Sequence, residues 1–428
     1  MFCNQCEQTQ NGTGCTDIGV CGKDPDMQSL QEILLYGVKG MAAYANHARR
    51  LGKTDDNVSA FIEEALFATL TNVNFDLDSL LELVLECGRQ NLRVMQLLDE
   101  GHTEKFGVPE PTVVYEGTKE GPGILVTGHD LVDLAALLEQ TAGQGINVYT
   151  HGEMLPAHSY PELKRHPHLA GHYGGPWQNQ QWEFPGFSGP ILATTNCILI
   201  PSESYADRLF TTRITAVPGG TRLKDENFSQ VIEMAKELPP LTENKVKEST
   251  IGFHHSVILG LADKIVDAVK SGAIKRFYLI GGCDGAESGR NYYTDLAKQA
   301  PDESVILTLG CGKFRIRDEV HGDIGGIPRL LDMGLCNVAY GAVQVAVALA
   351  NAFECGVNDL PLEIVLSWFE QKAVAVLLTL FALDVKGIRL GPVAPAFVSP
   401  NVFKILQERF DLKLIESEPP AELIQLSV

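Results

Sequence analysis

The sequence predicts an α+α/β protein: an amino-terminal helical bundle with a cysteine-rich loop, followed by two Rossmann-like α/β domains. Three observations predict it. Cys3, Cys6, Cys15 and Cys21 fall within the first 21 residues, with little between them that could form a helix or strand. Three stretches then carry apolar residues every three to four positions, the period of amphipathic helices. From about residue 116 onward, short β-rich runs alternate with helical ones, the pattern of parallel sheets.

The opening run MFCNQCEQTQNGTGCTDIGVCG spaces its cysteines C-x2-C-x8-C-x5-C. It has almost no apolar surface to bury, so something other than a hydrophobic core must order it. Thiolates are soft ligands, and four on one short loop suit a tetrahedral zinc ion or an iron–sulfur cluster. A pair of disulfides is the alternative, but ten cysteines in 428 residues are too dilute for a disulfide scaffold. The first residues lack the basic-then-apolar order of a secretory leader, and no apolar run is long and clean enough to cross a bilayer. A reducing, cytoplasmic setting is expected. The formal net charge of -20 argues against nucleic acid or an anionic membrane surface as partner.

The first helix is predicted from Ser29 to about Leu51, with Leu30, Ile33, Leu34, Val38, Met41, Tyr44 and Ala45 on its apolar side. The second covers roughly Asp56 to Leu70. The third runs from about Asp76 to Leu98, with Cys87 on its apolar stripe and therefore read as core. A Pro/Gly-punctuated linker near Gly107 to Gly123 follows. The clear strands are GILVTG, INVYTHG, ILATTNC, RFYLIGG, SVILTLG and LEIVLSW; helix candidates are Asp130–Gln140, Ser256–Ser271 and Val343–Phe353. The polar stretch Leu238 to Thr250 is expected to separate two α/β units. The predicted domains are 1–115, holding the cysteine loop and bundle, 116–248, and 249–428.

In open α/β sheets, ligands bind at the carboxyl ends of strands. Here ILVTG is followed by His129, VYTHG by Glu153 and ILATTN by Cys197. YLIGG leads to Cys283, LTLG to Cys311, and EIVLSWF to Glu370 with Lys372 two residues on; Cys336 lies at a loop-to-helix junction in MGLCNVAYG. A lone His or Cys at a strand end is usually a packing or capping residue. So many at successive strand ends suggest a large metal centre with sulfur, nitrogen and oxygen ligands between the two α/β units. Carboxylate and imidazole ligands favour harder, oxygen-bridged iron and can detach to open a coordination position. Such a site reads as catalytic, and the four-thiolate loop as an electron relay.

The motifs CNQCEQT, GHDLVDL, THGEMLPAHSYPELK, TTNC, GGCDGAESGR, LGCGKFR, GLCN and LSWFEQKAV, in this order, resemble the hybrid cluster (prismane) proteins, also called hydroxylamine reductases. The resemblance covers essentially the whole chain. It implies a [4Fe-4S] cluster on Cys3, Cys6, Cys15 and Cys21. It also implies a buried hybrid [4Fe-2O-2S] cluster on His129, Glu153, Cys197, Cys283, Cys311, Cys336 and Glu370, with Lys372 lining the site and Cys283 carrying an extra sulfur as a persulfide. The amino-terminal spacing matches the four-iron branch. Longer members have a second three-helix segment before the GHD motif, so this chain resembles the shorter class, and the missing segment bears on oligomeric contacts and donor docking.

The activity implied is reduction of hydroxylamine to ammonia and water, with Glu153, Glu370 and Lys372 as proton donors and an unidentified electron-donor protein as partner. Reduction of nitric oxide to nitrous oxide, and nitrosation or redox signalling at other proteins' thiols, are rival activities. A zinc-stabilised binding protein would leave the strand-end residues unexplained. His254 and His255, read in a strand, would point to opposite faces and are taken as structural or pocket-lining. Cys355 is read as an ordinary buried thiol at a helix end. His151 and His158 are candidate partners of Glu153.

Overall fold

The computed structural model describes residues 1–426. After the cysteine loop, α1 (Pro25–Arg50), α2 (Asp56–Ala68) and α3 (Leu77–Phe106) form a helical layer. α1 begins a turn earlier than the apolar period predicts. The Asp24 carboxylate caps it, accepting from the N–H groups of Asp26 and Met27, and Pro25 takes the first helical position. α3 runs two turns beyond its predicted end, because Asp99, His102 and Phe106 continue its buried face.

The first sheet contains β1 (Thr112–Thr118), β2 (Gly123–Thr127), β3 (Asn147–His151), β4 (Leu169–His172), β5 (Ile191–Ala193), β6 (Leu209–Thr212), β7 (Thr221–Leu223) and β8 (Asn244–Ile251). Helices α4 (Leu131–Thr141), α5 (Pro161–Lys164), α6 (Gln180–Glu183) and α7 (Ser229–Glu237) connect them. The strand order is β7-β6-β5-β2-β3-β4-β1-β8, and only β8 runs antiparallel, against β1. Both of those strands fall where the sequence predicts irregular chain, in the linker and in the polar stretch. They pair with each other at a sheet edge. The Lys- and Glu-rich β8 leaves most of its residues exposed, so no apolar run announces it.

The second unit follows with α8 (His255–Leu259), α9 (Ala262–Lys270), β9 (Arg276–Gly282), α10 (Asn291–Gln299), β10 (Ser304–Thr308) and a small pair, β11 (Asp323–Ile324) and β12 (Ile327–Pro328). Then come β13 (Leu330–Asp332), α11 (Ala339–Ala352), β14 (Leu362–Ser367), α12 (Gln371–Ala382), β15 (Arg389–Gly391), α13 (Pro400–Phe410), β16 (Lys413–Leu414) and α14 (Ala421–Ile424). The predicted helix 256–271 is two, broken at Gly260. The order β13-β10-β9-β14-β15-β16 is parallel throughout.

Strand order explains where a site can form. In the first sheet the chain moves from β2 through β3 to β4 on one side, then returns to lay β5, β6 and β7 on the other. The crevice therefore opens between the carboxyl ends of β2 and β5. In the second sheet β9, β10 and β13 go one way and β14, β15 and β16 the other, so the crevice opens between β9 and β14. Such reversals leave a gap where no crossover covers the strand ends.

α12, which begins at one of these crevices, wedges between α1 and α3. The contact is backbone-close. A methyl group at Gly40 would collide with the Gln371 carbonyl, and one at Gly88 with the Leu378 carbonyl. Thr379 Oγ1 donates to Gly88 O at 3.0 Å, and Asn91 Nδ2 donates to Thr379 Oγ1 at 3.0 Å. Gly88→Ala is expected to destabilise the protein by about 1–3 kcal/mol, because the helices must part. A melting temperature equal to that of the parent protein would show that this approach is not tight.

Candidate functional site

At the amino terminus, Cys3 and Cys15 form an antiparallel bridge: Cys3 N–H donates to Cys15 O at 3.0 Å, and Cys15 N–H to Cys3 O at 2.8 Å. Both are buried, whereas Cys6 and Cys21 are half-buried, and all ten cysteines are free thiols. Backbone N–H groups of Gln10 and Val20 directed at Cys15 hold its thiol below the usual cysteine range. Lys23 is buried beside this loop, with Nζ donating to Gln28 Oε1 at 3.1 Å. The loop thus wraps two buried and two half-buried sulfurs with donors already directed at one of them.

The strand-end residues converge from both crevices. His129 follows β2 and precedes Asp130, which caps α4 by accepting from the N–H groups of Val132 and Asp133 at 2.9 and 3.2 Å. Arg50 of α1 donates to the same carboxylate, so His129 is fixed between a strand end and an anchored cap. Thr195 Oγ1 lies 2.8 Å from His129 Nδ1, leaving Nε2 to face Glu153 Oε2 at 3.8 Å. Glu153 Oε2 accepts from the Cys336 N–H at 3.0 Å. Donor atoms of His129, Glu153 and Cys336 lie within 4.8 Å of one another, the span of a shared metal ion. Cys197, after β5, takes φ +63°, rare for a residue with a side chain, and Gln180 Nε2 pins its carbonyl at 2.6 Å.

From the second sheet, Cys283 follows Gly282, whose φ of +104° and contact with Ser367 leave no room for a side chain. Cys283 N–H donates to Ser367 O at 2.9 Å, tying the ends of β9 and β14 together. Cys311 begins a turn after β10 and is buried. Glu370 caps α12 through Oε2, which accepts from Lys372 N–H at 3.0 Å, and its Oε1 lies 3.7 Å from Lys372 Nζ. Lys372 is buried and donates to Asn196 Oδ1 at 3.0 Å.

The electrostatics are those of a donor cluster buried in a dry site, where burial disfavours the charged form of each thiol and of Glu153. Burial pushes the Cys283 and Cys336 thiols up to about 12, and Cys197 and Cys311 also well up, with neighbouring acidic groups and thiols adding to each. Burial raises the Glu153 carboxyl as well, against the opposing pull of Lys313 and Lys372. Burial opposes the charge on Lys372, but Cys336, Glu370, Cys197 and Glu153 around it prevail and hold its pKa above the ordinary lysine value. Burial, then Lys372 and His47, push His129 well down, leaving a neutral imidazole. Glu153 Oε1 is buried without a hydrogen-bond partner. An orphaned carboxylate oxygen among thiols and a neutral imidazole is the donor set a metal centre requires.

Three residues near this site carry no signal in the sequence. Tyr44, apolar by its place in the helical period, is fully buried, with its hydroxyl unpartnered; burial and then Cys336 raise its pKa. Its ring centroid lies 5.9 Å from Lys372 Nζ. His47, one turn on, is 3.6 Å from Asp130 Oδ2. Asn196, inside the TTNC motif, also contacts the Cys197 sulfur at 3.7 Å. A cleft of about 460 Å³ leads to Lys372 between Lys39, Asn46 and His47 of α1 and Thr195, Arg213 and Glu370.

Other expectations are corrected. His151 bonds to Glu183 Oε2 at 3.0 Å and His158 to Thr150 Oγ1 at 2.9 Å, so neither supports Glu153. His254 and His255 are not in a strand: His254 caps α8 and reaches Asp99 Oδ1 at 3.1 Å, and the two rings are 3.9 Å apart. Cys355 lies past the end of α11 and is half-buried, not buried. Cys87 is fully buried in α3, as its stripe predicts. Burial lowers His102 and His158 from 6.5 to about 4 each. Unfolding restores the higher value, so the unfolded chain binds protons that the folded chain refuses. The stability involved is complete above pH 6.5 and is lost as pH falls toward 4, at about 3 kcal/mol per imidazole. Melting temperature is therefore expected to fall steeply between pH 6.5 and 4, and less steeply in His158→Gln; an unchanged slope in that variant would refute the assignment.

Comparison with known proteins agrees with this geometry. The model of the Prismane/CO dehydrogenase family matches residues 1–84 and 76–418. The chain is 62% identical over 415 residues to a hydroxylamine reductase of Moorella thermoacetica, covering 97% of each chain. It is 58% identical over 388 residues to a hydroxylamine reductase of Rhodospirillum rubrum, covering 90% of this chain and 70% of that longer one. Among solved structures, carbon monoxide dehydrogenase IV from Carboxydothermus hydrogenoformans superposes with a TM-score of 0.78 over 99% of this chain and 91% of that one, at 17% identity. The helical layer and two largely parallel sheets are thus a shared fold, and the chain belongs to the Prismane/CO dehydrogenase family.

Proposed function

We propose that this chain is an iron–sulfur oxidoreductase that reduces hydroxylamine to ammonia and water. Each turnover breaks the N–O bond and takes up two electrons and two protons. The relatives named hydroxylamine reductase support the substrate, and the family's proteins bind iron–sulfur clusters. The observation that carries the reading is the cluster of His129, Glu153 and Cys336 donor atoms within 4.8 Å of one another, with Glu153 Oε1 buried there without a partner.

In this reading Cys3, Cys6, Cys15 and Cys21 hold a [4Fe-4S] cluster, and His129, Glu153, Cys197, Cys283, Cys311, Cys336 and Glu370 hold a hybrid [4Fe-2O-2S] cluster. Bound there, the clusters would supply electrons and a Lewis-acidic position for the substrate. The protein's own groups do the rest. The cleft beside α1 admits a molecule as small as hydroxylamine to Lys372. Lys372, held protonated by the acids and thiols around it, donates at its Nζ to the departing oxygen. Asn196 and Glu370 orient that ammonium. Glu153, with one oxygen fixed by the Cys336 N–H and the other free, is placed to deliver the second proton. Electrons enter at the amino-terminal loop from a donor protein.

The test is iron and acid-labile sulfide per chain in anaerobically purified protein, with EPR during stepwise reduction and hydroxylamine-dependent oxidation of a reduced viologen. About eight irons, two distinct signals and dye oxidation are expected. About four irons and one cubane signal, or zinc with no colour, would end the proposal.

A further inference from the structure

We propose that Lys23 is the counter-charge of the amino-terminal cluster and raises its reduction potential; the inference rests on the reading of Cys3, Cys6, Cys15 and Cys21 as the [4Fe-4S] site. Among the described residues the buried lysines are Lys23, Lys313 and Lys372. Lys313 pairs with Asp332 at 2.6 Å, and Lys372 with Glu370 at 3.7 Å. Lys23 is sealed from solvent yet has no ion-pair partner among the described residues. Its side chain makes one hydrogen bond, to a neutral amide: Nζ donates to Gln28 Oε1 at 3.1 Å. Two of its three ammonium protons therefore find no acceptor among the described residues.

The acids closest in sequence are engaged elsewhere. Asp24 caps α1 by accepting from the N–H groups of Asp26 and Met27. Asp26 accepts from Ser399 Oγ at 2.6 Å and from Asn401 Nδ2 at 3.0 Å. Position adds a second cost. Lys23 directly precedes the cap of α1, where the positive end of the helix dipole repels a cation. Buried charges persist when they are paired. Here the ammonium and the helix end both call for an anion.

The loop supplies one. A Cβ at Gly19 would meet Cys21 Sγ at 3.2 Å and Lys23 Cβ at 3.4 Å, so the sulfur and the lysine stem line the same side of that glycine. Gly19 N–H donates to Lys23 O at 2.7 Å and Gly22 N–H to Gly19 O at 2.8 Å, closing the turn around the pair. Four thiolates around iron and sulfide are a net anion, and reduction adds one electron from the donor protein without a proton. A fixed cation beside that anion favours the reduced form. Lys23 thus makes the loop a better electron acceptor.

Redox titration of the anaerobically purified, iron-loaded full chain, followed by EPR, tests this. Lys23→Met and Lys23→Gln should keep their iron and cubane signal, with the reduction equilibrium constant lowered about tenfold, a fall of ~59 mV for one electron. Lys23→Arg should hold the parent potential. The potential then follows charge, whereas a packing role would make it follow side-chain shape. A second readout covers the case in which the neutral variants lose their iron. In parent protein grown on lysine isotopically labelled at Nζ, electron–nuclear double resonance of the reduced cubane should show a coupling from the labelled nitrogen. A parent cubane without that coupling, or iron-loaded neutral variants at the parent potential, would overturn the inference and leave the cluster in place. A parent protein with no cubane signal would overturn the reading of the loop itself, and this inference with it.

Discussion

Cys311→Ser is expected to lower hydroxylamine reduction by about 10³-fold or more. Altering a residue that merely supports a metal ligand costs about 10–100-fold, and this change would remove a ligand itself. Cys311 is the most buried of the strand-end thiols, 4% exposed, and sits among Glu153, Cys197 and Cys283. Serine nearly preserves its volume, so the fold should survive. Iron should fall by roughly half, because the amino-terminal cysteines are untouched and their signal should persist. A variant with full iron and activity within tenfold of the parent would remove Cys311 from the site.

Lys372→Met is expected to cost about 10²- to 10⁴-fold in kcat with iron retained, the range for losing a positioned proton donor. The side chain is buried at the start of α12, and methionine approximates its length without its charge. Because Lys372 also offsets the charge of Glu370 and Glu153, the variant should melt lower as well. Separating the two effects requires chemical rescue. A small primary amine admitted by the cleft should partly restore activity to a variant that lacks only the proton donor, whereas a packing defect is not rescued. A parent-like kcat would exclude Lys372 from proton delivery.

Much of this arrangement is legible in the chain, because chemistry-bearing residues punctuate unmistakable strands. GILVTG, RFYLIGG and LEIVLSW are buried β-branched and leucine-rich runs, and the residues just past each stand out. β8 is hidden for the opposite reason, since an edge strand rich in Lys and Glu has no apolar signature, and β1 is masked by the prolines and glycines that flank its short apolar run. α1 conceals Tyr44 and His47: helical periodicity says which face is buried, not that α12 buries it beside Lys372. The partners of His151 and His158 are equally out of reach, because Glu183 and Thr150 become neighbours only through sheet registration. Glu370 is visible as a strand-end acid, but its helix-capping bond to Lys372 N–H emerges only in three dimensions.

The wedge of α12 between α1 and α3 has a consequence for how the protein is made. One continuous apolar cluster runs from Leu30 and Val84 to Leu378, Phe381 and Leu412. On the ribosome, α1, α2 and α3 emerge first, yet the helix that completes their core is encoded more than 260 residues after α3 ends. At about 5–20 residues per second, translation of that interval lasts roughly 15–50 s. Throughout it the cysteine loop and its apolar neighbours are tethered to an unfinished core. The amino-terminal end, first to leave the ribosome, is therefore among the last to be secured, and protection from adventitious metal and from aggregation matters most in that interval.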